Sequence, residues 1–327
     1  MPLPQTLLHA AHGDFDLELI AGTWPDGVTG EIYLSAPAPT EGLRSALFGF
    51  GVMIRLSLEP GTHGAPPDRW PWRTRTIETP TRRLFERVPE SFVPGVLGFS
   101  SRLGAPNMAN TAPLPWGDRL FATWDVGRPV ELDATDLSFL GEVGAKRSWG
   151  AETLGADDVL PFYFSSAHPV VDPDRSCLWT VKLEFDLANG QIAPHVVRYE
   201  GTGTDVRTWP LEGASIAGSM HTLTQTQEWL VCADSGNFKA DLGEMMGGER
   251  PVTIDDEVDV FLVRKDDLDS RPPGTPVEPR RVRLSPTTGH YYACSDDRDG
   301  KIRVLFEHMD RMDLGFKLRA DDRDVLD

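Results

Sequence analysis

Three histidines of this chain share a setting. His168 lies in SSAHPVV, His221 in GSMHTLT and His290 in TTGHYYA. Each follows a small residue or a methionine, and each opens a run of strand-forming residues. Neutral imidazole suits iron, copper, zinc and nickel. Three such rings meeting at one point would hold a metal through nitrogen alone. The ligands would leave its charge uncompensated, which favours a metal with open positions for a small molecule such as dioxygen. Taken singly, each histidine is most simply a hydrogen-bonded core or rim residue; the metal reading rests on the three settings being alike. The other five differ. His9 and His12 lie near the start, His63 in a Pro/Gly-rich stretch, His195 at a strand opening and His308 at a strand end beside Glu307, so surface or capping roles suit them. No Ser-His-Asp or paired-carboxylate set stands out.

These residues need elements to carry them. Helical periodicity is scarce and strand-like alternation recurs. Strands are expected within 30–34, 47–58, 119–126, 128–143, 176–187, 194–200, 228–235, 258–267 and 290–308. The sequences DPDR (172–175), LANG (187–190) and DDRDG (296–300) supply the Asp, Asn and Gly that close hairpins. With 31 Gly, 27 Pro and 40% apolar residues, the chain reads as all-β with frequent turns. Repeated antiparallel sheets point to a β-propeller, with a sandwich as the alternative from pattern alone. The histidines are 53 and 69 residues apart, about one propeller blade plus loop excursions. Inner strands of successive blades begin near the central axis, where such side chains would converge.

Two segments stand apart. Residues 59–72, EPGTHGAPPDRWPW, read as a Pro/Gly-rich loop. Residues 82–103 place Phe85, Phe92, Val93, Val96, Leu97 and Phe99 in a non-strand context. They read as a loop packed on the body or as an apolar lid or membrane-contact segment near a site for a greasy ligand. Fifty Asp and Glu against 32 Lys and Arg give a net charge of −18. That repels nucleic acid and argues against electrostatic binding to an anionic membrane, leaving peripheral contact through apolar residues. Cys177, Cys232 and Cys294 are odd in number and widely spaced, so free buried thiols and a cytoplasmic location are expected. The start of the chain lacks the pattern of a signal peptide, and no window suits a spanning helix.

The chain resembles the carotenoid oxygenase family, which also includes enzymes cleaving apocarotenoids and stilbenes. The resemblance is carried, in order, by GTWPDGVTGEIYLSAP (22–37), LFGFGVMIRLSL (47–58), ANTAPLPWGDRLFATWDVGRPVELDATDL (109–137), SSAHPVVDP (165–173), SMHTLTQTQEWLVCADS (219–235) and GHYYACSDDRDG (289–300). It extends over nearly all of residues 15–310. It implies a seven-bladed β-propeller in which four histidines from different blades hold one ferrous iron, Fe(2+). His168, His221 and His290 match the first three. Asp125, in ATWD, matches a glutamate that bonds the outer nitrogen of a ligand histidine, fixing its tautomer. Being one methylene shorter, it is expected to bond more weakly or through water. Ala293, Cys294 and Ser295 depart from the family's usual Asn-Ala-aromatic.

The family's fourth histidine lies beyond residue 327. The resemblance therefore implies a single propeller domain over 1–327 that is C-terminally truncated, about five blades of seven. Its implied function is oxidative scission of a conjugated C=C bond in a carotenoid, apocarotenoid or stilbene-like substrate by dioxygen, giving two carbonyl products. The alternative is a non-catalytic propeller remnant that binds an apolar ligand or a protein partner. Phe48, Phe50, Trp124, Phe162, Tyr163 and Phe164 are candidates to line a substrate tunnel, though core packing suits most of them. An open propeller is expected to be poorly soluble alone.

Overall fold

The computed structural model describes residues 12–38, 49–89, 92–95, 98–101, 107–149, 164–186, 191–216, 219–235, 257–285, 288–293 and 300–308. They build successive antiparallel sheets in chain order. Strands β1 (Gly13–Leu17), β2 (Glu31–Pro37), β3 (Gly51–Ser57) and β4 (Trp70–Thr76) form the first sheet, in the order β1-β4-β3-β2. Helix α1 (Pro80–Arg87) follows, and then an antiparallel pair of β5 (Phe92–Gly95) and β6 (Gly98–Ser101). The second sheet is a meander of β7 (Pro113–Trp116), β8 (Arg119–Ala122), β9 (Val130–Asp133) and β10 (Phe139–Glu142).

The third sheet contains β11 (Phe164–Ser165), β12 (Val170–Asp172), β13 (Cys177–Asp186), β14 (Gln191–Tyr199) and β15 (Arg207–Pro210), with β11 and β12 both paired to β13. The fourth has β16 (Leu223–Gln225), β17 (Trp229–Ala233), β18 (Val258–Arg264) and β19 (Arg280–Leu284), with the short helix α2 (Lys265–Ser270) after β18. A final pair joins β20 (Thr288–Ala293) and β21 (Val304–His308).

Strand alternation explains why these sheets stack in chain order. Side chains point alternately to opposite faces, so a strand apolar at every position feeds two cores. In β8, Leu120 and Ala122 join Met53 and Ile77 between the first and second sheets, whereas Phe121 turns to Leu178 and Val197 of the third. In β13 and β14, Trp179 and Val196 face away from Leu178 and Val197, into the largest cluster, with Leu230, Cys232 and Phe261 of the fourth sheet. In β17, Val231 and Ala233 face the last pair through Tyr291 and Ala293.

The all-β expectation holds: among the described residues the two α-helices are six and eight residues long. The DPDR turn closes β12 onto β13, with the Asp172 carboxylate accepting from the Arg175 N–H at 3.1 Å. LANG and most of DDRDG lie outside the described residues. Three segments differ from expectation. The 59–72 stretch ends in strand, because Trp70 and Trp72 pair with Leu17 and Phe15 of β1, itself unforeseen at GDFDL. The 82–103 stretch begins in α1, whose N-cap Thr79 accepts from the Arg82 N–H and whose Pro80 suits a first-turn position. Residues 92–95 and 98–101 then pair as antiparallel strands whose side chains lie outside the described residues. No described helix is long and apolar enough to cross a membrane.

Candidate metal centre

The segment Ser165–His168 sits where three sheets meet, and its small residues explain how. Ser165, Ser166 and Ala167 are fully buried. The Ser165 amide donates to the Asp125 carbonyl at 2.8 Å, and its hydroxyl donates to the Trp124 carbonyl at 3.0 Å. The Thr123 hydroxyl donates to the Ala167 carbonyl. The Ser166 hydroxyl donates to the His221 carbonyl at 2.9 Å and accepts from the His168 amide at 3.1 Å. Larger side chains would push these backbones apart. His168 and Thr222 then form a parallel bridge: the His168 amide donates to His221 O at 3.1 Å, and the Leu223 amide to His168 O at 3.0 Å.

The three rings converge. Centroids are 4.8 Å apart for His168 and His221, 5.1 Å for His168 and His290, and 4.9 Å for His221 and His290, with planes steeply inclined. One ring nitrogen of each lies within 4.8 Å of the others. His168 and His221 precede β12 and β16, as expected. His290 departs from that pattern: it is the third residue of β20, directly across from Glu307 in β21.

Two of the rings have their tautomers set by carboxylates. The Nδ1–H of His221 donates to both carboxylate oxygens of Asp125, at 2.8 and 2.9 Å. Despite the shorter side chain the contact is direct, with no bridging water needed. The Nδ1–H of His290 donates to Glu307 Oε2 at 2.6 Å. With Nδ1 committed as a donor, Nε2 of each neutral ring carries the lone pair. Yet the two Nε2 atoms face each other at 3.1 Å. Two neutral rings in that tautomer set lone pair against lone pair; a proton carried by one ring or a metal held between them relieves the contact.

Burial first, and then the neighbouring rings, hold the His168 imidazole down to about 4, so it is neutral near pH 7, as a ligand must be. Its Nε2 is buried and has no hydrogen-bond partner. Such an orphan is costly in a core, and a bound cation would satisfy it. The donor set therefore fits a metal that takes imidazole.

Glu307 was missed by sequence reasoning. Its signal was present, since a hairpin closed by DDRDG brings 306–307 opposite 290. His63 bonds Glu31 at 2.9 Å near the surface, as expected; His195 bonds Glu184 at 3.3 Å but lies in the middle of β14 with its side chain largely buried, not at a strand opening. Of the tunnel candidates, Phe50 and Phe164 are buried in core clusters and Trp124 packs against both clusters; Phe48, Phe162 and Tyr163 lie outside the described residues. Cys177 and Cys232 are free and buried, and burial pushes both thiols up to about 12. Cys294 lies outside the described residues.

A family profile described as RPE65, retinal pigment epithelial membrane protein, matches residues 8–323. The chain belongs to this family. Among RPE65-family relatives, the chloroplastic carotenoid cleavage dioxygenase 7 of Arabidopsis thaliana is 32% identical over 80 residues, 24% of this chain and 13% of that protein. A point mutant of the Synechocystis apocarotenoid oxygenase superposes with a TM-score of 0.62 at 20% identity, covering 89% of this chain and 60% of that one. A cobalt-substituted form of that oxygenase gives 0.64 at 20% identity, covering 95% and 64%. The Pseudomonas brassicacearum lignostilbene dioxygenase gives 0.60 at 19% identity, covering 90% and 58%. The chain thus spans about three-fifths of the length of these solved structures.

Proposed function

We propose that this chain carries the metal-binding part of a non-haem Fe(II) dioxygenase that cleaves a conjugated C=C bond of a carotenoid, apocarotenoid or stilbene-like substrate. The observation that supports this most directly is the convergence of three imidazole nitrogens within 4.8 Å, with a carboxylate behind two of them. Family membership supports the reaction class, and the named relatives act on such alkenes.

His168, His221 and His290 would hold the iron. When bound, ferrous iron supplies the redox chemistry by which dioxygen adds across the alkene, both oxygens ending in two carbonyl products. The protein's own share is positional. Asp125 and Glu307 keep His221 and His290 in the Nδ1–H tautomer, turning Nε2 toward the metal. Burial keeps His168 neutral. Trp124, next to Asp125 in the chain, and Phe85 are partly buried against the Phe50 and Met108 core, and their remaining apolar surface would meet a polyene.

We further read residues 1–327 as a single propeller domain of about five blades out of seven, with the 82–103 segment as an apolar lid or peripheral membrane contact. Phe85 at its start packs on Phe50, with ring centroids 5.4 Å apart. Free Cys177 and Cys232 thiols support a cytoplasmic setting. The remnant alternative is weaker, because packing alone does not require three neutral rings and two carboxylates to face one point.

Anaerobic loading with ferrous iron tests the reading. Near one equivalent should bind to the wild type and be lost in His221→Ala. No binding to either protein overturns the assignment.

A further inference from the structure

We propose that Tyr291 is a positioning residue for the metal centre: its hydroxyl sets the distance between His290 and His221. The proposal rests on the three-histidine metal reading. Tyr291 neighbours His290 on β20, and adjacent strand residues point to opposite faces. The histidine therefore faces its two partners while the tyrosine is driven into the core formed with β17 and β18, against Val231, Ala233, Val258 and Val260.

There the hydroxyl makes two bonds of opposite sense. It donates to the carbonyl of Thr222, the residue after His221, and it accepts from the Ala233 amide at 2.6 Å. Thr222 is also the bridge partner of His168. One phenolic oxygen thus ties the strand of the third histidine to the backbone that already joins the first two. A parallel backbone bridge locks His168 to His221, but among the described residues β20 pairs along its length with β21 alone. Its placement against the fourth sheet depends on side-chain links. The Tyr291 hydroxyl is one, and the Ala293 amide, donating to Thr224 Oγ1 at 3.0 Å, is another. Removing the hydroxyl breaks its bonds to the Thr222 carbonyl and the Ala233 amide and lets β20 slide, and the 3.1 Å approach of the two Nε2 atoms is the distance that suffers.

The test is cobalt(II) titration of the full chain, followed by d–d absorption, with thermal melting in parallel. Four proteins are compared: wild type, His221→Ala, Tyr291→Phe and Val260→Ala. The last perturbs the same apolar cluster without touching a link to the histidine strands. Tyr291→Phe should melt cooperatively, bind cobalt about 10–100-fold more weakly, as loss of an orienting contact typically does, and show an altered band shape. Val260→Ala should melt lower with cobalt affinity unchanged. If Tyr291→Phe binds with wild-type affinity and spectrum, the proposal fails and the metal reading stands. Equal weakening in Tyr291→Phe and Val260→Ala also overturns it, since the effect would then be general loosening. If the wild type takes up no cobalt, or His221→Ala retains it, the metal reading itself falls and the positioning role with it. Should Tyr291→Phe melt below the working temperature, it and the wild type are titrated with cobalt in a stabilising osmolyte: weaker binding by the variant supports the proposal, and wild-type affinity overturns it.

Discussion

Asp125 and Glu307 do the same work from different places. One reaches His221 from the connection after β8, the other reaches His290 from the neighbouring strand of a hairpin. Each accepts from Nδ1–H, so each fixes which nitrogen faces the cluster. Asp125→Ala and Glu307→Ala are expected to weaken cobalt(II) binding by about 10–100-fold each, measured by competition with a chelator. Glu307→Gln should lose less, because its amide oxygen still accepts from Nδ1–H. Binding should also weaken as pH falls, since protons and the metal compete for the same ring lone pairs. A titration at pH 7.5 and 6.0 checks that direction.

Among the elements, β12, β13 and α2 are joined by a buried ion pair with its own consequences. Lys265 Nζ lies 2.7 Å from Asp172 Oδ2, both side chains almost fully buried, and also donates to Gln225 Oε1 and the Thr226 carbonyl at 2.8 Å. Burial acts to raise the Asp172 carboxyl, but Lys265, the Arg175 amide and the Trp179 indole outweigh it and hold the group below the ordinary carboxylate range. A carboxylate lowered on folding stabilises the protein fully above its unfolded value of about 3.9, and that contribution is lost as pH falls through the folded value. Lys265→Met removes the buried cation and leaves Asp172 with the Arg175 guanidinium, 3.7 Å away and less buried, as its remaining charge partner. It should cost about 3–5 kcal/mol at pH 7 in urea unfolding. The loss relative to wild type should shrink as the pH is lowered and Asp172 takes up a proton.

A second element-scale constraint lies at the start of β3. A Cβ on Gly51 would stand 2.1 Å from the carbonyl oxygen of Ala109, a buried residue held at φ +49°. Gly51→Ala is therefore expected to destabilise by about 1–3 kcal/mol or more, again by urea unfolding, because backbone rather than a flexible side chain must move.

Across the whole molecule, each internal sheet is covered on both faces, but the first is not. Cross-strand registers align Phe15, Trp72, Leu56 and Ile32 in one row and Ile54 with Leu34 in the next. The opposite face, with Tyr33 and Met53, packs on the second sheet. Phe15 and Leu34 remain 45% and 46% exposed, and Leu17 and Ile32 nearly as much. At the other end Tyr292 and Leu305, a cross-strand pair, are more exposed still. Contiguous apolar surface of this kind drives association, against which a net charge of −18 gives only partial protection. Residues 1–327 expressed alone should associate as concentration rises, by sedimentation velocity. Phe15→Lys with Leu34→Lys should shift the distribution toward monomer and leave cobalt binding unchanged.

The residue pattern by itself determined the class of fold and the candidates for the site. Strands such as WLVCA are apolar at every position, and CLWTV at all but Thr180, because both their faces are buried, and that is a local property. His168, His221 and His290 were marked by alike settings, and Asp125 by its match to a family position. Local pattern failed where partners decide. GDFDL is a strand because β4 lies beside it. Residues 92–95 and 98–101 pair as antiparallel strands within a stretch that lacks strand alternation. Glu307 matters because the hairpin register sets it against His290, and Tyr291 because its hydroxyl reaches a carbonyl 69 positions away. Strand propensity is written in near neighbours, whereas convergence depends on which distant backbones cross and at what height. That choice is made by packing and hydrogen-bond satisfaction across the whole chain, so only the tertiary structure could decide that the three imidazoles face one another.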